Sequence, residues 1–227
     1  MGLACTRESE RVQASFGLVE AVEPQFEHEV DLKAGGVLLA LPSLLINGLL
    51  KFSGQYFQLP AGYYGLDSLL IILSFMALLR IKSLEGLRYR DPGELGKLVG
   101  LDRAPEVRTL RKKIALLSGH GDVEGFCRQL SISWMEDDPH LAGALYVDGH
   151  VRVYYGRQTK LPKRFVAREK LCLRGMTDYW INDALGRPFF VVSQAFNRGL
   201  LAVLREDIVP RLLTDIPGQP SYEELLA

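Results

Sequence analysis

Between residues 37 and 118 apolar side chains recur at helical spacing, and after about residue 140 they alternate or run together as strands do. The first half therefore predicts consecutive helices. A short one precedes Lys51, a loop bearing glycine and proline spans Phe52 to Gly65, and Asp67 is placed to cap an apolar helix running to about Leu79. Asp91-Pro92-Gly93-Glu94 is a helix start: Asp91 can accept free amide hydrogens, Pro92 loses nothing at the first helical position, and Glu94 can complete a capping box. Gly100 stops that helix and Ala104-Pro105-Glu106 opens the next, which traces the outline of a helix-turn-helix. In the second helix Val107, Leu110, Ile114 and Leu117 share one face, and Arg108, Arg111 and Lys112 share another. One side packs and the other is basic, a pattern that a solvated surface helix also gives.

Beyond residue 140, Ala144 to Val147, Val151 to Tyr155, Tyr179 to Ile181 and Phe189 to Val192 read as strand segments. The last two flank Asn182 to Arg187, a hairpin-type loop, and a helix from about Arg198 to Leu213 follows. The expected class is α+β: a leader over 1–35, an all-α region over 36–125, and a β, β, β, α segment over 140–227.

Charge sharpens this division. Lys+Arg and Asp+Glu both number 27, so the net charge is zero and the chain is no polycation. The zero is a cancellation: residues 1 to 32 hold seven acids against Arg7 and Arg11, and residues 150 to 174 hold eight basic residues against Glu169 alone. A nucleic-acid surface must therefore be local. Cys5, Cys127 and Cys172 are widely separated, which indicates neither a disulfide framework nor a zinc knuckle and suits a reducing, cytoplasmic setting. MGLACT is a formal match to the myristoylation pattern, of a kind that short patterns produce by chance. The greasy stretches Val37 to Leu50 and Leu66 to Leu79 fall short of the about 20 apolar residues of a membrane span, so no membrane is expected.

Asp148 is the candidate for chemistry, a carboxylate directly after apolar strand residues and before Gly149, which can open space for a ligand. An Asp-Gly pair is also a common turn former. The basic stretch holding Lys160, Lys163, Arg164, Arg168 and Lys170 suits either a solvated loop or contact with a phosphate backbone.

The block ALYVDGHVRVYYGRQTKLPKR, with REKLCLRGMTDYWINDALGRPFFVV after it, resembles the start of the ribonuclease-H-like catalytic domain of DDE transposases from bacterial insertion sequences, in particular those with an Asp-Gly-His first-strand motif. The stretch from Leu59 to Ile114 is similar to their helical DNA-binding region, so the resemblance covers about residues 36 to 213. It implies that Asp148 is the first acid of a triad that holds Mg²⁺, that Arg108, Arg111 and Lys112 lie on a DNA-facing helix, and that the partner is DNA at transposon ends rather than a small-molecule substrate. It gives His150 no role. In such a site two metal ions activate the attacking oxygen and stabilise the displaced one.

The second acid should lie on a strand after the helix ending near Leu213 and the third on a later helix, yet TDIPGQPSYEELLA does not read as a strand. Asp178, Asp183, Asp207 and Asp215 read as surface acids. The resemblance thus implies an incomplete ribonuclease-H-like segment in a truncated transposase, without strand transfer of its own. A sheet that stops there leaves an edge, so either marginal stability or pairing with another chain, as in a homo-oligomer, is expected. Two other readings remain open: a non-catalytic DNA-binding regulator or competitor of full-length transposase, and an interaction protein of unrelated fold.

Overall fold

The computed structural model describes residues 6–28, 30–138, 140, 143–156, 159–195 and 198–216, in two compact units, Met1–Phe126 and Cys127–Ala227. The class is α+β. All but Thr6 of the MGLACT start, and residues 217–227 of the tail, lie outside the described residues.

In the first unit α1 (Glu8–Ser15) is followed by α2 (Leu41–Ile46), α3 (Ser53–Tyr56), α4 (Leu66–Leu78), α5 (Pro92–Lys97) and α6 (Val107–His120), with 3₁₀ turns at Gly35–Ala40 and Leu84–Tyr89. Leu69, Ile72 and Phe75 of α4, Leu98 and Val99 after α5, and Leu110 of α6 make its core. The cap of α4 differs from expectation. Gly65 is the N-cap and Asp67 lies inside the first turn, where its charge complements the helix dipole. A side chain on Gly65 would meet Ala21 Cβ at 2.5 Å, because the leader crosses here. Val22 is buried in the core, its N–H donates to the Tyr63 carbonyl (3.3 Å), and Gln25 N–H donates to the Gly100 carbonyl (2.7 Å). The acidic leader is therefore part of the helical unit.

Asp91 caps α5 as read, accepting from the N–H groups of Gly93 (2.8 Å) and Glu94 (3.2 Å), while the Glu94 carboxylate receives the N–H of Lys33. Gly100 ends this stretch at φ +68°. Leu98 to Glu106 then turn back so tightly that a Cβ on Gly96 would lie 2.3 Å from Arg103 Cα. That neighbour is backbone and cannot step aside. Gly96→Ala should accordingly cost about 1–3 kcal/mol, seen as a lowered thermal midpoint, although alanine is the better helix former. An unchanged midpoint would mean that the turn between α5 and α6 is looser than it stands here.

α7 (Val123–Asp137) was not read from the sequence. Asp122 starts it by accepting the Gly125 N–H (2.8 Å), and Phe126, Leu130 and Trp134 recur at spacing four, a signal that the intervening polar residues Arg128, Gln129, Ser131 and Ser133 dilute.

Among the described residues the second unit holds four strands, β1 (Tyr146–Val153), β2 (Lys163–Val166), β3 (Leu171–Asn182) and β4 (Pro188–Ala195), all antiparallel. β3 is central: its residues 175–182 pair with β1, 171–174 with β2 and 176–182 with β4. The two strand segments expected at 144–147 and 151–155 are one strand, with Asp148 in its interior, so this Asp-Gly pair is not a turn. Gly149 is extended, and a Cβ there would meet the Tyr179 ring at 3.3 Å, so the space it leaves is filled by protein. The basic stretch, open to reading as a solvated loop or a phosphate contact, contributes β2 and the start of β3, joined through a turn with Lys170 at φ +53°. The C-terminal helix runs as α8 (Leu200–Val203), a π-helical segment (Leu204–Ile208) and α9 (Val209–Asp215). Pro210 explains the widening, because its ring would clash with a carbonyl one turn earlier in a regular α-helix.

Candidate nucleic-acid interface

Alternation along β1 and β3 separates two faces of the sheet. Val147, Tyr179, Ile181, Phe190 and Val192 pack with Ile132, Trp134 and Met135 of α7 and with Val203, Ile208 and Leu212 of the C-terminal helix. Asp148, His150 and Arg152 of β1 lie on the opposite face, opposite Trp180, Asp178 and Met176 of β3. Asp148, His150, Arg152 and Trp180 are exposed there. Among the described residues the Asp148 carboxylate has no hydrogen-bond or ion-pair partner, so Asp148→Asn and Asp148→Ala should each shift stability by no more than about 0.5 kcal/mol in thermal melts. Marked destabilisation by both would assign this acid a structural role.

Of the basic residues in this unit, Lys160, Lys163, Arg164, Arg168 and Lys170 are all exposed. Lys163 stands opposite Arg174 across the β2–β3 ladder, on the Asp148 face, and Arg168 and Lys170 lie at the hairpin turn. The acids read as surface residues are placed differently. Asp178 is buried, held by Arg152 Nε (3.1 Å) and by the Ser193 hydroxyl, which donates at 2.6 Å. Asp183 is fully buried and accepts the N–H groups of Leu185 and Arg187 and the Arg187 guanidinium. Asp215 is buried between Arg128 (2.5 Å) and Arg211 (3.2 Å), and Asp207 pairs with Arg198 (2.9 Å). These carboxylates are neutralised by arginine. Among the described residues no group of three or more His, Cys, Asp or Glu side chains is placed to hold a metal ion. Among the described residues none is placed to complete a two-metal clamp with Asp148.

In the first unit α6 presents the faces that its sequence period requires. Val107, Leu110 and Leu117 are buried, Ile114 is half-buried, and Arg108, Arg111 and Lys112 are exposed. Arg111 reaches back to the carboxylate of Glu85 at 2.5 Å. Glu106 is the N-cap of α6, and Pro105 before it is buried, which fixes the entry of the helix and thereby the direction of its basic face.

The leader lies beside this helix. Arg11 donates to both Asp102 oxygens through one guanidinium edge, Nε and Nη2, and stacks 3.8 Å from the centroid of the Tyr63 ring, and the Tyr63 hydroxyl donates to Asp102 at 2.6 Å. Burial pushes Asp102 up, but the hydrogen bonds from Arg11 and Tyr63 outweigh it and hold the carboxyl below its ordinary range. Burial, with the Asp102 carboxylate as acceptor, pushes the Tyr63 phenol up. Between α1, residues 60–64 and α6 lies a cleft of about 480 Å³ lined by Arg11, Tyr63, Arg108, Lys112 and Lys113 among others. The sequence reading missed Lys113 and the leader's part in this wall. The stripe Thr109, Lys112, Lys113, Leu116 has helical spacing and was the available signal.

Among the described residues no helix is long and apolar enough to cross a membrane. A family model described as transposase protein matches residues 2–227. No curated protein and no solved structure matches the chain.

Proposed function

Because the chain belongs to this transposase family, we propose that it binds DNA at transposon ends, with Arg108, Arg111 and Lys112 of α6 and the β2–β3 hairpin lysines and arginines contacting backbone phosphates. The observation that carries this reading is the α6 helix, whose buried face fixes it in the core while its three cations stay exposed. Phosphate contacts of this kind position a protein on the duplex and make affinity fall with salt.

In the second unit we infer a ribonuclease-H-like architecture of the DDE type found in bacterial insertion sequences. Supporting it are β1, β3 and β4, antiparallel and followed by a helix on one face, and Asp148 on the other. In that reading Asp148 is the first acid of a set that would bind Mg²⁺, and the remaining described acids are not its partners. Among the described residues no second acid joins Asp148 in a metal-holding group, and one carboxylate cannot hold two ions, so the purified chain should show no DNA cleavage or strand transfer with Mg²⁺ or Mn²⁺. A second reading rests on Asp178, Asp183 and Asp215 each being occupied by arginine: a DNA-binding regulator or competitor of a complete transposase. Metal-dependent nicking that Asp148→Asn abolishes would contradict both this regulator and the expected inactivity.

The reading as a whole is tested by anisotropy titration of a labelled duplex at a series of salt concentrations. Retention at low salt with a linear fall of log affinity against log salt is expected. No retention at low salt would overturn it.

A further inference from the structure

The cleft beside α6 concentrates positive charge that the protein itself leaves uncompensated. Arg108, Lys112 and Lys113 all line it, and among the described residues none of the three has a carboxylate partner. Their neighbours differ. Arg11 is committed to Asp102, Arg103 to Glu106, Arg88 to Glu85, and Arg111 likewise to Glu85. The tyrosines of the cleft are committed too, since the Tyr63 hydroxyl donates to Asp102 and the Tyr64 hydroxyl to the carbonyl of Arg103.

We propose that this cleft is a phosphate site that takes a backbone phosphate of DNA, with Lys113 and Lys112 on one side, Arg108 beside them and the sugar against the tyrosine wall. The proposal rests on the DNA-binding reading and changes its residues: Lys113 enters, and Arg111, already neutralised, contributes less. Lys113 is half-buried next to Lys112, and both burial and that like charge lower its pKa. Gathering cations in this way is unfavourable unless an anion joins them. The cleft, of about 480 Å³ and open to solvent, has room for a phosphate carrying its sugar.

The test uses the full chain in two measurements. Amine acetylation followed by mass spectrometry reads Lys112 and Lys113 directly, alone, with a duplex oligonucleotide, and with inorganic phosphate at the same phosphate concentration. The duplex should slow modification of both lysines several-fold, and inorganic phosphate should not. Anisotropy then compares Lys113→Gln, Lys113→Arg and Arg111→Gln. Lys113→Gln should weaken duplex binding more than Arg111→Gln and flatten the salt slope by about 0.9, and Lys113→Arg should restore both.

Equal protection by inorganic phosphate would make this a free-anion site and overturn the proposal. So would salt-dependent duplex binding in which Arg111→Gln is the damaging change and Lys113 is unprotected; that outcome leaves the DNA-binding reading standing. Absence of salt-dependent duplex binding in the wild type removes that reading and the proposal together. If Lys113→Gln loses its helical circular dichroism, wild-type protection and the Lys113→Arg variant decide the matter.

Discussion

Asp183→Ala is expected to destabilise the second unit by about 3–5 kcal/mol, the cost of removing one partner of a buried ion pair. Asp183 is fully buried, and three donors converge on it: the N–H of Leu185 at 2.9 Å, the N–H of Arg187 at 2.8 Å and the Arg187 Nε at 2.7 Å. With Gly186 at φ +82° these bonds close the loop between β3 and β4. Without the carboxylate the Arg187 guanidinium stays partly buried and unpaired, and the loop amides lose their acceptor. Asp183→Asn should cost less, since its oxygen can still serve the amides. Urea unfolding of wild type, Asn and Ala variants checks this order, and an alanine variant within about 1 kcal/mol of wild type would contradict it. Burial pushes the Asp183 carboxyl up, but Arg187 and the loop amides outweigh this and hold it below its ordinary range. Its stabilisation is therefore present above the unfolded value of about 3.9 and is lost as pH falls through the lower folded value. The gap between wild type and Asp183→Asn should narrow in that acid window.

Arg11→Ala is expected to cost the first unit about 2–4 kcal/mol, less than a fully buried pair because Arg11 is partly exposed. It leaves the Asp102 carboxylate, 2% exposed, with Tyr63 and no guanidinium. Because Arg11 is the side chain that ties α1 to Asp102, amide hydrogens of residues 8–15 should exchange faster in this variant than those of α4. Equal protection of α1 in wild type and variant would show that other contacts hold the leader. The folded Asp102 carboxyl is likewise held low, so this contribution too is present above about pH 4 and lost below it.

The helix at 92–97 was legible through its Asp91 cap, the one at 107–120 through its 3.6-residue period and the one at 66–78 through its apolar run, all local in sequence, although Asp67 is not the cap it was read to be. So was the exposure of Arg108, Arg111 and Lys112, which follows from the burial of Val107 and Leu110. What sequence could not show was long-range pairing. The leader reads as acidic, yet its two arginines join Val22 and Gln25 in holding it: Arg11 meets Asp102, and Arg7 reaches the carbonyl of Gly100. Asp178, Asp183 and Asp215 read as surface acids because aspartate usually is one; strand register brings Arg152 to Asp178 and packing brings Arg128 to Asp215, whereas Arg187, four residues after Asp183, and Arg211, four before Asp215, were local signals that the reading passed over. The basic run around Lys163 hid a strand, since lysine and arginine are weak strand formers and their pairing is decided by β3.

The central claim is that the basic face of α6 meets DNA phosphates. It is tested most directly by the salt dependence of duplex affinity for wild type and for an Arg108→Ala, Arg111→Ala, Lys112→Ala variant whose helix content is verified by circular dichroism. The account predicts weaker binding by the variant and a slope of log affinity against log salt shallower by about two to three. Identical slopes and affinities in the two folded proteins would contradict it.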